Sequence, residues 1–403
     1  MHDREAGRLI RPCCVCGSCD RRILFRQTFS QLSDGSSLIA GYDVVACSNC
    51  GFCFADGIPP QASFDKYYRE MSKYEKTESG GEDSSYDRAR YEKMAGVILK
   101  LLADKKTHIL EIGCANGQLL GLLKKAGYVH ISGVDPSPVC AEMAWKKYGI
   151  PVKVGTLSNL PIVNEDVDFL ILAGVLEHVR DLNSAMEKIR NVLYEGSHVF
   201  ISVPDASRYS EGQDAPFQEF SLEHINFFGP VSLDNLMRAN GFSEKSIEQD
   251  FITSNVKTTT PVIHGFYEKE ASGRARPIIS DGITERGLVR YIEQSNLVNE
   301  NILKIIEKIS IEGTPLIVWG TGAHTLRLME TSKLGEANLK LFVDSNPRYQ
   351  GKNLRGIPIV PPDEIKGRQE TILISSRVYQ EEIANQIRDM SGPGRQVIKL
   401  YLE

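Results

Sequence analysis

The sequence lacks three features that would point to a membrane or to nucleic acid. It has no apolar run near the roughly 20 residues that a membrane-spanning helix needs, and its first segment, MHDREAGRLIRPCC, has no apolar core typical of a secretory signal. It also has no excess of basic residues, because 47 Lys and Arg stand against 52 Asp and Glu, a net charge of -5. Nucleic-acid-binding proteins usually present a basic surface. We therefore expect a cytoplasmic protein with no nucleic-acid and no membrane partner.

Cysteine is nearly absent after the first 53 residues. Of the nine cysteines, only Cys114 and Cys140 lie beyond Cys53. In a reducing compartment, such clustering indicates metal binding rather than disulfide bonds.

Two short segments of this cluster, residues 13–17 and 47–51, share the pattern Cys-x-x-Cys-Gly. Two such pairs can surround one ion with four thiolates, the tetrahedral set typical of structural zinc, which leaves no open position for a substrate. Cys19 and Cys53 also stand at ligand spacing, but the glycine after the second cysteine of each segment favours the other four. The predicted ligands of a structural Zn²⁺ are Cys13, Cys16, Cys47 and Cys50.

From about residue 85, apolar runs alternate with amphipathic segments. The runs HILEIG, ISGVD, DFLILAG and HVFISV form a first set, and LIVWG, LKLFVD and TILISS form a second. Alternation of this kind predicts doubly wound α/β folds with parallel sheets. We expect a zinc-binding module at 1–70, a Rossmann-like domain at 71–260 and a C-terminal Rossmann-like α/β domain at 261–403. The polar stretch at 75–85 has the composition of a mobile flap.

The first strand of the central domain leads into the loop LEIGCANG. Gly113 and Gly117 allow the backbone to approach a ligand, and the following helix offers free N–H groups. The third glycine of the dinucleotide fingerprint G-x-G-x-x-G is missing, and Glu111 would repel a pyrophosphate. Glu111 would instead attract a cationic ligand in a partly buried cleft. S-adenosylmethionine (SAM) has an amino group and a sulfonium, and Asp135 at the end of the next strand can accept its ribose hydroxyls.

Four segments, LEIGCANG, GVDPS, GTLSNLP and LAGVLEHV, follow one another in an order that resembles the class I SAM-dependent methyltransferases over about residues 85–250. The resemblance implies a Rossmann-like class I methyltransferase domain and an enzyme that transfers a methyl group from SAM. It implies that Gly113 and Gly117 face the methionine part of SAM and Asp135 the ribose. It places Thr156 and Leu157 at the adenine.

Two histidines are candidates for the group that removes a proton from the methyl acceptor. His178 lies in VLEHV, where methyltransferases of base amines often have an Asn/Asp-Pro-Pro-aromatic tetrad instead. His224 follows Glu223, and a neutral imidazole beside a carboxylate suits a general base near pH 7. A structural or orienting role remains an alternative for both histidines.

The complete layout of zinc module, SAM domain and C-terminal α/β domain resembles the sugar C-methyltransferases of deoxysugar pathways. The resemblance implies a nucleotide-linked 4-keto sugar that is methylated at the carbon next to the ketone after enolisation. Glu223 and His224 match the family's Glu-His pair ahead of an aromatic residue, here Phe227. Tyr74 matches a tyrosine that follows the zinc module.

The C-terminal domain begins with a strand, a Gly320-x-Gly322 turn and a helix, and Asp344 ends its next strand. We expect this domain to help bind the nucleotide, with the helix N-terminus near Gly322 facing a phosphate. The alternative is a domain that only packs against the rest of the chain.

Three other functions remain open at the level of sequence. The first is O-methylation of a surface-glycan sugar or small metabolite, since His224 could equally deprotonate a hydroxyl. The second is a zinc-ribbon RNA methyltransferase, which fits poorly with the acidic composition. The third is a non-enzymatic scaffold that keeps the SAM fold.

Overall fold

The computed structural model describes residues 6–33, 38–71, 85–161, 166–253, 258–271, 276–392 and 394–401. The chain forms two compact units. Unit 1 comprises Met1–Leu24, Val45–Gly212 and Glu223–Leu288. Unit 2 comprises Phe25–Val44, Gln213–Leu222 and Val289–Glu403. Each unit is therefore assembled from segments that are distant in the sequence.

Unit 1 contains a seven-stranded sheet. Its strands are β5 (Ile109–Ile112), β6 (Ile131–Asp135), β7 (Val152–Val154), β8 (Val167–Ala173), β9 (Leu193–Pro204), β11 (Phe242–Thr253) and β12 (Thr259–Lys269). They are arranged in the order β11-β12-β9-β8-β5-β6-β7. Strands β5 to β9 run parallel to one another, whereas β12 is antiparallel to both β9 and β11. Every residue of β5 is buried, as expected for a strand covered on both faces. The predicted Rossmann-like α/β fold is confirmed.

Helices connect most of these strands. They are α1 (Gln61–Met71), α2 (Ser85–Leu101), α3 (Gln118–Lys125), α4 (Pro138–Tyr148), α5 (Leu182–Val192) and α6 (Pro230–Ala239). Helix α4 shows how the sequence sets its limits: Ser137 Oγ accepts a hydrogen bond from Cys140 N at its start, Pro138 is its first residue, and Gly149 ends it in a left-handed conformation. Short 3₁₀ helices span Leu176–His178, Ala206–Glu211, Lys333–Glu336 and Pro362–Ile365.

A smaller sheet involves the cysteine-rich segments. Its strands are β1 (Ala6–Arg8), β2 (Asp20–Thr28), β3 (Gly41–Cys47), β4 (Cys53–Asp56) and β10 (Asn226–Phe227), in the order β1-β2-β3-β4-β10. Because β10 pairs antiparallel with β4, the chain after residue 223 returns to the cysteine-rich segment. The two cysteine-rich turns and the seven-stranded sheet share one hydrophobic core, in which Cys47 and Phe52 are buried together with Leu110 and Leu172.

Unit 2 contains a six-stranded sheet. Its strands are β13 (Leu316–Trp319), β14 (Leu339–Val343), β15 (Asn353–Leu354), β16 (Ile357–Val360), β17 (Thr371–Ile374) and β18 (Val397–Lys399). In the order β15-β16-β14-β13-β17-β18, all pairs are parallel except β15 with β16. The helices of this part of the chain are α7 (Gly282–Glu312), α8 (Ala323–Thr331) and α9 (Gln380–Ser391). Among the described residues, no helix is both long and apolar enough to span a membrane.

Candidate functional site

The loop between β5 and α3 forms the centre of the candidate site in unit 1. Gly113 and Gly117 have φ values of 77° and 76°, and Ala115 between them has a φ of 45°. The left-handed region strongly favours glycine, so the spacing of the two glycines reflects the backbone of this loop. At Gly113, a Cβ atom would lie 2.7 Å from Val175 Cγ2, which shows that the glycine also allows the turn after β8 to approach.

Asp135 at the end of β6 fixes the backbone of this loop through hydrogen bonds. Its Oδ2 accepts a hydrogen bond from Ala115 N at 2.8 Å, and its Oδ1 accepts one from Ser137 N at 2.9 Å. Burial raises the pKa of Asp135 to about 6, while the two backbone donors lower it. Each carboxylate oxygen has a second lone pair, so the group can still accept the ribose hydroxyls that the sequence assigns to it.

Glu111 is a buried carboxyl group without a complete set of partners. It is 2% exposed, and Oε2 has no hydrogen-bond partner among the described residues. The pKa of Glu111 is raised to about 8, chiefly by burial; the Arg90 guanidinium opposes this rise and the nearby Asp135 adds to it. An orphaned acid at this position fits a cationic ligand far better than a pyrophosphate.

Arg90 in α2 is a site residue that the sequence did not reveal. Its Nη2 donates to the carbonyl oxygen of Ala173 at 3.3 Å. Gly174, with a φ of 73°, makes room for it, because a Cβ there would lie 2.4 Å from Arg90 Nη2. The site therefore offers both an acid, Glu111, and a guanidinium, which together match the ammonium and carboxylate of an amino acid.

The two residues expected at the adenine lie in the loop after β7. The loop is joined to the end of β6 through a hydrogen bond from Gly155 N to Asp135 O at 3.0 Å. Leu157 is buried, and Thr156 Oγ1 lies 2.7 Å from Ser158 Oγ. An apolar side chain beside small hydroxyls at the end of a strand is compatible with one face of a base.

Two short segments bring His178 and His224 together. Ile225 N donates to Glu177 O at 2.8 Å, and the amide of Asn226 donates to the carbonyl oxygens of Leu176 and Val179 at 2.8 and 2.7 Å. These bonds fasten the chain before β10 to the 3₁₀ turn after β8. As a result, the rings of the two histidines lie 4.9 Å apart in an edge-to-face arrangement.

The buried carboxyl group of Glu177 lies close to both histidines. One nitrogen of each histidine and one oxygen of the buried Glu177 all lie within 4.8 Å of one another. Such a trio can share protons, and it also has the donor types of a divalent-cation site. The Glu223 carboxylate accepts a hydrogen bond from the hydroxyl of Tyr67 at 3.1 Å. The backbone oxygen of Glu223 lies 3.0 Å from His178 Nδ1.

Two tyrosines of α1 reach the same place. The Tyr68 hydroxyl lies 2.9 Å from His178 Nδ1, and Tyr67 contacts Glu223. Tyr74, the tyrosine expected here from the sequence, lies outside the described residues, as does most of the expected flap. Tyr68, Glu177 and Asn226 were not identified from the sequence, although the YY pair at the end of the N-terminal segment was a visible signal.

The four predicted zinc ligands lie together in unit 1. Cys13 Sγ is 3.6 Å from Cys50 Sγ, and Cys16 Sγ is 3.5 Å from Cys47 Sγ; all four sulfur atoms lie within 4.8 Å of one another. A tetrahedron with zinc–sulfur bonds of about 2.3 Å has edges of about 3.8 Å. The donor set and its dimensions therefore fit a zinc ion.

The other two cysteines at ligand spacing are not part of this group. Cys53 Sγ donates to the carbonyl oxygen of Gly51 at 3.3 Å, and Cys19 is half-buried outside the cluster of sulfur atoms. In both turns the glycine has a positive φ, 72° at Gly17 and 79° at Gly51. Its N–H closes the turn onto the carbonyl oxygen of the first cysteine.

In unit 2, the Gly320-x-Gly322 turn is supported in a similar way to the loop of unit 1. Asp344 Oδ2 accepts hydrogen bonds from Thr321 N at 2.9 Å and Thr321 Oγ1 at 2.6 Å. Gly320 has a φ of 104°, and Gly322 precedes α8 as its N-cap. The first turn of α8 thus begins at the carboxyl end of the central strand of the sheet.

Comparison with known proteins agrees with the geometry of unit 1. Residues 86–245 match a family described as a methyltransferase domain, and residues 313–398 match a family described as C2185-like, N-terminal. A probable SAM-dependent methyltransferase of Mycolicibacterium smegmatis is 24% identical over 181 residues, which is 45% of this chain and 64% of that protein. An O-methyltransferase of Pyrenophora dematioidea is 28% identical over 113 residues, which is 26% of this chain and 42% of that protein.

Solved structures show the same kind of similarity. A SAM-dependent methyltransferase from Thermotoga maritima is 23% identical, and the match covers 51% of this chain and 98% of that one with a TM-score of 0.38. The chain spans less than two thirds of the length of the two curated relatives. The sequence motifs, the parallel sheet and the matched family converge on one part of the chain: residues 86–245 form a class I SAM-dependent methyltransferase domain.

Proposed function

We propose that the protein is a SAM-dependent methyltransferase that methylates a carbon atom of a nucleotide-linked 4-keto deoxysugar. The observation that supports SAM most strongly is the orphaned, buried carboxyl group of Glu111 beside Arg90. Glu111 would hold the ammonium of the methionine part and Arg90 its carboxylate. Gly113 and Gly117 would line the same part, Asp135 would accept the ribose hydroxyls, and Thr156 with Leu157 would contact the adenine.

When bound, SAM supplies an activated methyl group for in-line transfer, and the protein's own residues prepare the acceptor. His224 would remove the proton from the carbon next to the ketone. The Glu177 carboxylate, which lies within 4.8 Å of a nitrogen of His224, would stabilise the imidazolium that forms. Charge that develops on the ketone oxygen would be stabilised by the Tyr68 hydroxyl and by His178, which lie 2.9 Å apart.

Glu223 has a positioning role in this proposal. Its carboxylate fixes Tyr67 and its backbone carbonyl accepts from His178 Nδ1. A carbonyl can only accept a hydrogen bond, so Nδ1 carries the proton and Nε2 of His178 faces Glu177, at 3.9 Å from Oε1. A proton on Nε2, whose positive charge the Glu177 carboxylate would stabilise, would make His178 a donor towards the acceptor's oxygen.

We also propose that Cys13, Cys16, Cys47 and Cys50 bind one structural Zn²⁺, and that residues 1–70 form the zinc-binding module. A four-thiolate site is saturated, so it would take no part in methyl transfer. For the C-terminal domain, residues 261–403, we propose nucleotide binding, with the N-terminus of α8 near Gly322 facing a phosphate.

The experiment that tests C-methylation is proton exchange. The protein is incubated with a nucleotide-linked 4-keto sugar in heavy water without SAM, and the product is analysed by NMR. The proposal expects deuterium at the carbon next to the ketone with the wild type, and at least about a hundredfold slower exchange with His224→Gln, the usual scale for loss of a general base. A folded wild-type protein that binds the sugar and exchanges no proton would contradict C-methylation.

O-methylation is the second candidate, and the Pyrenophora dematioidea relative, which is named as an O-methyltransferase, supports it. His224 would then deprotonate a hydroxyl of a surface-glycan sugar or small metabolite. Incubation with ¹³C-methyl-labelled SAM distinguishes the two, since a methyl group on oxygen and one on carbon have different ¹³C chemical shifts.

A further inference from the structure

Unit 2 buries a guanidinium group that no carboxylate contacts within the part of the chain described by the structure. Arg327 in α8 is 3% exposed. Its Nη2 donates to Asn299 Oδ1 at 2.9 Å, and its guanidinium carbon lies 4.8 Å from the centre of the Phe217 ring. Its Nε has no hydrogen-bond partner among the described residues.

This group is still charged at neutral pH. Burial lowers the pKa of Arg327 to about 10, which leaves it protonated at pH 7. A buried charge without a counter-ion destabilises the folded state, and a ligand of opposite charge would remove that cost.

A second donor lies less than one turn before Arg327 on the same helix. His324 is 8% exposed, and its Nε2 lies 2.8 Å from the Tyr401 hydroxyl. Because a phenol is the stronger donor of the two, we assign its proton to the bond with Nε2, which places the ring hydrogen of His324 on Nδ1. Nδ1 has no partner among the described residues. Burial lowers the pKa of His324 to about 3, so the ring is a neutral donor.

Both side chains line one narrow cavity within unit 2. In this conformation the space between them has no room for a water molecule, and Phe217, Phe220 and Gln27 line it as well. It adjoins the first turn of α8, a nine-residue helix whose first N–H groups have no partner within the helix. A guanidinium, a ring N–H and the positive end of a helix dipole are thus directed to the same space.

The dimensions of the cavity limit what can enter. Because the space beside Arg327 has no room for a water molecule in this conformation, a ligand can enter only if side chains move, and a nucleoside or sugar ring would need a much larger movement than a single phosphate group. The Phe217 ring, which is stacked on Phe25 at 4.6 Å between centroids, forms an apolar wall. A compact anionic group could enter by displacing the guanidinium from the face of this ring.

We propose that Arg327 and His324 form an anion site that binds a phosphate group, and that this group belongs to the diphosphate of the nucleotide sugar. The identity of the ligand rests on the proposed function, whereas the presence of an anion site rests on unit 2 alone. Arg327 would contact the phosphate through its planar fork of N–H groups, and His324 would contact it through Nδ1–H.

The test is a calorimetric titration of the full chain with inorganic phosphate, pyrophosphate and uridine and thymidine diphosphates. The wild type is expected to bind pyrophosphate and at least one nucleoside diphosphate. Arg327→Gln keeps a donor for Asn299 and should weaken binding by roughly tenfold to a hundredfold, the usual loss for a charge-assisted hydrogen bond. Arg327→Lys keeps the positive charge but not the planar set of N–H donors, so its anion affinity should lie between those of the wild type and Arg327→Gln. Arg388→Gln, an exposed arginine of α9, removes the same charge elsewhere and should bind as the wild type.

Thermal unfolding without ligand provides a second measurement. If Arg327 is kept for a ligand, Arg327→Gln should unfold at the same temperature as the wild type or higher; a lower midpoint with unchanged binding would make Arg327 a structural residue and overturn the site. Absence of saturable binding of any of the four anions to the wild type would also overturn it. If anion binding depends on Arg327 but the protein methylates no nucleotide sugar, the anion site is supported and the proposed function is contradicted.

Discussion

At the scale of single residues, the site is defined by ionisable groups that the fold buries with incomplete hydrogen bonding. Glu111 is the clearest case, since burial raises its pKa to about 8 from an ordinary value of 4.5. The folded chain therefore binds a proton here that the unfolded chain releases. The stability that this proton provides is complete below about pH 4.5 and is lost as the pH rises to about 8. A bound ammonium would replace the proton and remove this pH dependence.

Glu111→Gln is therefore expected to stabilise the ligand-free protein at pH 7.5 and to weaken SAM binding. We expect a gain of roughly 1–3 kcal/mol in the free energy of unfolding, and a flatter dependence of stability on pH between about 5 and 8. Urea unfolding at several pH values measures both effects. Glu195→Gln, at an exposed position, is the matched control and should leave the curve unchanged. A variant at position 111 that is less stable than the wild type at every pH would show that Glu111 has a structural partner.

At the scale of elements, the histidine pair depends on how the chain before β10 is fastened to the turn after β8. The Asn226 side chain is 1% exposed and donates to two carbonyl oxygens of that turn. Asn226→Ala should lower the free energy of unfolding by roughly 2–4 kcal/mol, because two buried acceptors lose their donor. It should also reduce methyl transfer by more than tenfold while leaving SAM binding within about threefold of the wild type.

The matched control is Asn240→Ala, which removes a single bond to Leu236 O at the end of α6 and should leave methyl transfer unchanged. Unfolding and turnover are measured on the same preparations. Equal losses of turnover in both variants would show that the effect is one of general stability and would contradict the positioning role of Asn226.

The limits of sequence-based prediction are also clearest at this scale. The strands and helices around the SAM loop follow from apolar periodicity and from local signals, such as the Ser137 cap and Gly149 at the two ends of α4. The pairing of His178 with His224 does not, because it depends on hydrogen bonds between the turn after β8 and residues about 50 positions later in the chain. Sequence proximity suggested Glu223 as an acid beside His224, but it did not indicate that backbone geometry also brings Glu177 close to both histidines.

At the scale of the whole molecule, the cysteine-rich segments and the methyltransferase sheet belong to one unit. The sequence predicted which four cysteine sulfurs lie together, since their spacing is local, but it did not predict that Cys13, Cys47 and Cys50 share a core with residues of β5 and β8. Composition and periodicity can only divide a sequence into consecutive stretches. Each compact unit of this structure instead combines three segments that are separated in the sequence.

Because the cysteine-rich segments share a hydrophobic core with β5 and β8, removal of the proposed zinc should also destabilise the methyltransferase sheet. We expect one zinc per chain by native mass spectrometry, and loss of zinc in Cys16→Ser but not in Cys19→Ser. Chelation should increase hydrogen exchange in β5 and β8, since a structural zinc contributes directly to folding. A zinc-free protein with unchanged exchange in these strands would contradict a shared core stabilised by metal.

The central claim is that the cleft beside Glu111 binds a cationic methyl donor. Calorimetric titration of SAM and of NAD into the wild type at pH 7, in buffers of different ionisation enthalpy, tests it most directly. The account predicts saturable SAM binding with release of close to one proton, loss of that release together with roughly tenfold or weaker binding in Glu111→Gln, and no binding of NAD at this site. Binding of NAD that competes with SAM, or SAM binding that Glu111→Gln leaves unchanged, would contradict it.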